Sequence, residues 1–152
     1  MTPLAPSQAT VLRYGLITVT GTGIGTATVA RMLDPQATGA ARLLGPQEHL
    51  PLGAMPVIVS ETTLYGATCV EALMRRWTAG LPRPWLVLLA DAPARPVPDA
   101  RYLVRALESR LAGVARVPYL PVLRAVRGPD EALEHKDVRA AAQGLRHTIE
   151  GK

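Results

Sequence analysis

Two unbroken apolar runs constrain the fold of this chain more than any other feature. Residues 56–63 read PVIVSETT and residues 84–91 read PWLVLLAD. Neighbouring residues of a strand point to opposite faces of a sheet, so each run predicts a strand that is covered on both faces. Strands of this kind are typical of parallel sheets that carry helices on both sides. The two runs therefore indicate an α/β fold.

Helical patterns alternate with these strands. After residue 63, apolar residues recur with the spacing of one helix face, and Gly80 is the predicted helix end. Shorter apolar segments at residues 14–20 and 114–121 predict two further strands, and a last helix is predicted over residues 130–149. The expected fold is α/β in three layers, a mostly parallel sheet of about four strands with helices on both faces. The strands are expected to lie in the order in which they occur in the sequence.

The chain is predicted to be a single domain over residues 1–152, with a flexible tail at residues 1–12. Residues 34–55 are rich in proline and glycine and predict a loop, with one helical turn near residues 40–44. A loop there leaves the first strand open at one edge, or covered only by the loop. Because an apolar strand edge favours pairing with another chain, we expect a homodimer or a docked protein partner.

A glycine-rich stretch, LITVTGTGIGTATVARML at residues 16–33, joins the first strand to a helix predicted to begin at Thr26. Its glycines allow a ligand to approach the backbone, and free N–H groups at the helix start favour an anion. Two threonines could add hydroxyl donors. Asp91 follows a strand at the sheet edge where ligands bind. The candidate binding residues are Gly21, Gly23, Gly25, Thr26, Thr28 and Asp91.

Three known loop signatures match this stretch only in part. In the phosphate-binding signature GxxxxGK[ST], Thr26 and Ala27 replace the lysine and the magnesium-binding hydroxyl. In the dinucleotide signature GxGxxG, Gly21 and Gly23 fit, but Thr26 replaces the third glycine. The short-chain dehydrogenase pattern fits at Gly21 and Gly25, but no tyrosine is followed by the required lysine four residues later. The residues leave open a tight turn without a ligand, anion binding without hydrolysis, and hydrolysis.

The order of segments resembles the ParA/MinD-type ATPases. VTGTGIGTATVARML is similar to the phosphate loop of that family. Residues 56–77 are similar to a strand of the family that reads VLIVTTP and to the long amphipathic helix that follows it. VARVPYLPVLRAV is similar to a late segment that borders the adenine. The similarity covers residues 14–127 but lacks the family's aspartate-ended strand. It implies a P-loop NTPase-like fold in a non-catalytic binding or scaffold protein that holds ATP or ADP without hydrolysis. The family serves DNA partition, cell division or the maintenance of mobile elements.

The alternative is a small nucleotide- or dinucleotide-dependent enzyme with an atypical loop. The net charge of +5 is compatible with nucleic acid, but the arginines are scattered, so an indirect role is expected. A single cysteine excludes an internal disulfide, and the histidines lack metal-ligand spacing, so no metal is predicted. No apolar run has the length of a membrane span, which favours a cytoplasmic protein.

Overall fold

Strands and helices alternate in a computed structural model that describes residues 11–20 and 23–151. The strands are β1 (Tyr14–Thr18), β2 (Ala41–Leu43), β3 (Met55–Glu61), β4 (Trp85–Leu89) and β5 (Gly113–Val117). The helices are α1 (Gly23–Leu33), α2 (Leu64–Arg75), α3 (Pro98–Leu107), α4 (Pro129–Ala132) and α5 (Lys136–Glu150). Short 3₁₀ helices occupy Glu108–Arg110 and Pro121–Ala125. Most of the predicted N-terminal tail lies outside the described residues.

The five strands form one sheet in the order β2-β1-β3-β4-β5, and every neighbouring pair is parallel. Helices cover both faces. Leu16 and Val57 belong to the apolar cluster that α1 and α5 cover, whereas Ile58 and Leu86 belong to the cluster that α2 and α3 cover. The predicted three-layer α/β fold with a parallel sheet is therefore confirmed, with one strand more than expected.

The additional strand lies inside the segment that was predicted to be a loop. In β2, Ala41 pairs with Tyr14 of β1, and the backbone N–H of Leu44 donates to the carbonyl of Leu16 at 2.8 Å. β1 therefore lies between β2 and β3. The four predicted strands, β1, β3, β4 and β5, lie in the predicted order, and β2 is added outside β1. The helical turn predicted near residues 40–44 is wrong, because residues 41–43 form a strand. Of the two alternatives for the edge of β1, the open edge is wrong, and the segment 34–55 covers β1 by forming β2. The reason for expecting a second chain at that edge is removed with it.

A buried aspartate fixes the turn between α1 and β2. Asp34 is 6% exposed, and its carboxylate accepts hydrogen bonds from the backbone N–H groups of Thr38, Gly39 and Ala40 at 2.9–3.1 Å. The Thr38 hydroxyl donates a fourth hydrogen bond at 2.8 Å. Within this turn, Ala37 has a φ of 53°, in the left-handed region that favours glycine. The carboxylate thus holds a conformation that the backbone alone would not prefer.

The helix boundaries differ from the prediction at three places. α1 begins at Gly23 rather than Thr26, and α2 ends at Arg75, before Gly80. The last helix is divided into α4 and α5. Ala132 and Val138 are both fully buried in the same apolar cluster, although one continuous helix would point them about 120° apart. The break between the two helices allows both side chains to pack against the sheet.

The end of α5 is attached to β1. The Tyr14 hydroxyl donates to the Glu150 carboxylate at 2.7 Å, and Arg13 forms an ion pair with the same carboxylate at 3.1 Å. Burial, together with this hydrogen bond, raises the pKa of Tyr14 to about 12. Gly151, with a φ of 72°, ends the helix in the left-handed conformation that glycine adopts readily.

Replacing Gly113 by alanine is expected to destabilise the sheet. Gly113 lies opposite Trp85 in the β4–β5 pair, and a Cβ atom there would lie 2.3 Å from the Trp85 ring. The ring is half-buried and can move outward at some loss of packing, so the expected cost is about 1–2 kcal/mol in the free energy of unfolding. Urea denaturation of the two proteins measures it.

The Trp85→Leu background provides the control for this prediction. Without the indole ring, Gly113→Ala should cost less than about 0.5 kcal/mol, because its close contact is removed. An equal cost in both backgrounds would attribute the effect to the β5 backbone and contradict the proposed clash.

Candidate functional site

An open groove of about 560 Å³ lies at the carboxyl ends of β3, β4 and β5, next to the start of α1. One wall is formed by Gly23, Ile24 and Gly25, and the other by the segment Pro118–Arg124. Leu89 and Val117 line it between these walls. Ligands of open parallel sheets bind at this edge, so the groove is the candidate site.

Two of the three residues that line the groove at the start of α1 are glycines, which present backbone to it. Gly23 has a φ of 41°, a conformation that other residues rarely adopt, and both Gly23 and Gly25 line the groove. The first N–H groups of a helix have no acceptors within the helix, and the helix dipole adds partial positive charge there. Such a wall favours an anion over a cation, and the binding of an anion here stays a prediction. Gly21 lies outside the described residues.

The two threonines of the predicted site do not line the groove. Thr26 is 4% exposed and Thr28 is 1% exposed, and both belong to the buried side of α1. Within the described part of the chain, the Thr28 hydroxyl has no hydrogen-bond partner. Both threonines share this buried side of α1 with Val29, Met32 and Leu33. Their expected role as hydroxyl donors to an anion is therefore not supported by their positions.

Two carboxylates lie at the same edge of the sheet. Asp91 lines the groove as predicted, and its carboxylate accepts a hydrogen bond from the Thr62 hydroxyl at 2.8 Å. Glu61, the last residue of β3, is half-buried and also lines the groove. Among residues 11–20 and 23–151, no group of three or more His, Cys, Asp or Glu side chains is arranged to hold a metal ion.

The wall opposite α1 combines apolar side chains with one cation. Tyr119, Leu120 and Leu123 contribute the apolar surface, and the exposed Arg124 lies at the end of the wall. The sequence placed Leu123 and Arg124 in the segment VARVPYLPVLRAV, but neither was among the candidate binding residues. These two residues lie in a short 3₁₀ helix, which hydrophobic periodicity does not detect.

Comparison of the chain with protein-family models, with curated proteins and with solved structures finds no match. In the part of the chain that the structure describes, no helix combines the length and the hydrophobicity that crossing a bilayer requires.

Proposed function

We propose that this protein is a non-catalytic, ParA/MinD-like binding protein that holds ATP or ADP in the groove and acts through a partner protein. The carrying observation is that two chemically different walls face one groove, the start of α1 and the segment Pro118–Arg124. The first suits phosphate groups, and the second suits an apolar ring. The second wall also belongs to the sequence segment that resembles the adenine-bordering segment of that family.

The same residues argue against hydrolysis as the function of the groove. Transfer of a phosphoryl group depends mainly on positive charge that stabilises the transferred group. Thr26 and Ala27 stand where the resembled family has a lysine and a metal-binding hydroxyl. Of the described residues that line the groove, Arg124 is the one cation, and it lies on the wall opposite the helix start. The proposal is therefore a protein that senses a nucleotide in the cytoplasm rather than one that consumes it.

A charge change at Gly25 tests this proposal. Gly25→Asp places a carboxylate in the first turn of α1, where it favours the helix but repels a phosphate. Relative to Gly25→Asn, we expect about tenfold weaker binding of ADP, about 1.4 kcal/mol, measured by calorimetry. The asparagine variant is the matched control, because it has the same shape without the charge. The new Cβ atom would lie 3.0 Å from Leu89 Cδ1, the flexible end of a side chain, in both variants.

Parallel titrations with ATP, ADP and NAD, with and without Mg²⁺, separate the alternatives. Binding of ADP and ATP without turnover is the expected result. Binding of NAD in preference to ADP would instead favour a dinucleotide-dependent protein. The absence of heat with all three ligands, or equal affinities of the Gly25→Asp and Gly25→Asn variants for ADP, would refute the proposed site.

A further inference from the structure

A second, smaller cleft lies between α2 and α3, at the carboxyl ends of β3 and β4. Ala67, Leu88 and Val104 form its apolar interior, and its enclosed volume is about 20 Å³, room for about one water-sized group. Two arginines, Arg101 of α3 and Arg116 of β5, also line it. The cleft lies on the opposite face of the sheet from α1. It is therefore distinct from the groove beside the start of α1, which is called the nucleotide groove below.

The charges of the two arginines are not balanced by ion pairs in the described part of the chain. Among the described residues, no carboxylate forms an ion pair with Arg101 or Arg116. A guanidinium group binds oxyanions especially well, because its N–H groups match the geometry of two oxygen atoms. Two guanidinium groups that line one cleft without a carboxylate partner therefore indicate an anionic ligand.

Thr63, which precedes α2, also lines the cleft and can supply a further donor. Thr63 caps the helix, and its hydroxyl oxygen accepts a hydrogen bond from the N–H of Gly66 at 2.9 Å. The hydroxyl proton of Thr63 thus remains available to donate. Thr62 differs, because its hydroxyl already donates to Asp91. The positive end of the α2 dipole adds to the charge of the two arginines.

One carboxylate opposes an anion in this cleft. Glu61 lines both the cleft and the nucleotide groove, but it forms no ion pair with either arginine in the described structure. Its negative charge should weaken the binding of an anion without preventing it, because two cations and a helix start face it. Removing the charge of Glu61 should therefore strengthen the binding of an anion, whereas removing the charge of either arginine should weaken it.

We propose that the cleft binds a phosphate group, as the free ion or as a monoester on a larger ligand. The enclosed volume of about 20 Å³ suits a single phosphate oxygen, so the proposed complex leaves the remaining oxygens at the mouth of the cleft. A nucleoside is too large to enter. The site requires no nucleotide in the groove, so it does not depend on the proposed function.

The test is a ³¹P NMR titration of the full chain with inorganic phosphate and, separately, with O-phosphoserine, at constant ionic strength set by chloride. We expect saturable binding that Arg101→Gln and Arg116→Gln each weaken about tenfold. Arg83→Gln is the matched control and should leave the affinity unchanged. The exposed Arg83 lies just before β4, at the amino ends of the strands, whereas the cleft lies at their carboxyl ends. Glu61→Gln should tighten binding about threefold by removing the opposing charge.

The two ligands distinguish the sources of the phosphate group. Tighter binding of O-phosphoserine than of phosphate would assign a monoester, and tighter binding of phosphate would assign the free ion. Saturation by neither ligand, or an equal loss in the Arg83→Gln control, would overturn the proposal. Arg116 is exposed, so its variant keeps the test decisive even if replacement of the partly buried Arg101 disturbs the fold.

Discussion

Asp34→Ala is expected to lower the free energy of unfolding by about 3 kcal/mol, which corresponds to about 6–12 °C in Tm. The substitution removes the acceptor of four hydrogen bonds. Three of the donors are backbone N–H groups in the turn that joins α1 to β2, and water can satisfy only part of them in the mutant. Thermal denaturation followed by circular dichroism measures the loss. Asp99→Ala, an exposed aspartate in the first turn of α3, is the control and should cost no more than about 1 kcal/mol.

The contribution of Asp34 should also depend on pH. Burial alone would raise the pKa of its carboxyl group, but the hydrogen bonds from Thr38 and Gly39 outweigh it and hold that pKa below its usual value. A lowered pKa in the folded state stabilises the protein above the unfolded-state pKa, and this stabilisation is lost as the pH falls through the folded-state pKa. The difference between wild type and Asp34→Asn should therefore be constant near neutral pH and shrink below about pH 4. A difference that is independent of pH would contradict this role of the carboxylate.

Gly66→Ala should destabilise the protein by about 2–3 kcal/mol, although alanine is the better helix former. Gly66 lies in the first turn of α2, and a Cβ atom there would lie 2.5 Å from Ser60 Oγ and 2.7 Å from the backbone oxygen of Glu61. A backbone atom cannot move aside as a side-chain end can, so α2 would have to shift away from β3. Chemical denaturation gives the magnitude.

The matched control for Gly66 is the same substitution in another helix. Gly144→Ala lies on the exposed side of α5, where no atom approaches within 4 Å of the added Cβ atom, and it should stabilise the protein by about 1 kcal/mol. Adding Ser60→Ala to Gly66→Ala should restore only part of the loss, because the contact with Glu61 remains. If both glycine variants change stability in the same direction, close packing of α2 on β3 is not the cause.

Strands with long apolar runs could be predicted from sequence, whereas β2 could not. β3 and β4 lie within one or two residues of their predicted positions, because each is buried on both faces and carries an unbroken apolar pattern. β2 has three residues, and two of them, Arg42 and Leu43, are exposed. Its conformation depends on pairing with β1 and on the turn that Asp34 fixes. Both the pairing partner and the turn lie outside β2. They therefore leave no periodic pattern in the sequence of the strand itself.

The candidate site shows the same limit. Glycines and the aspartate at strand ends could be predicted, because their position follows from chain topology, and the structure brings Gly23, Gly25 and Asp91 to one groove. Thr26 and Thr28 belong to the buried side of α1 together with Val29, Met32 and Leu33. This burial depends on how α1 packs against the sheet, which the glycine-rich loop pattern does not reveal.

The short strand β2 also bears on how the chain avoids self-association. It is an edge strand of three residues, and its Arg42 is paired with Glu48 in the following loop at 2.9 Å, so the exposed edge is short and charged. β1 behind it is longer and more apolar. A local opening that releases only the segment from Asp34 to Leu44 would uncover β1 while the rest of the sheet stays folded. The tendency of this protein to aggregate should therefore follow the free energy of that local opening rather than its global stability.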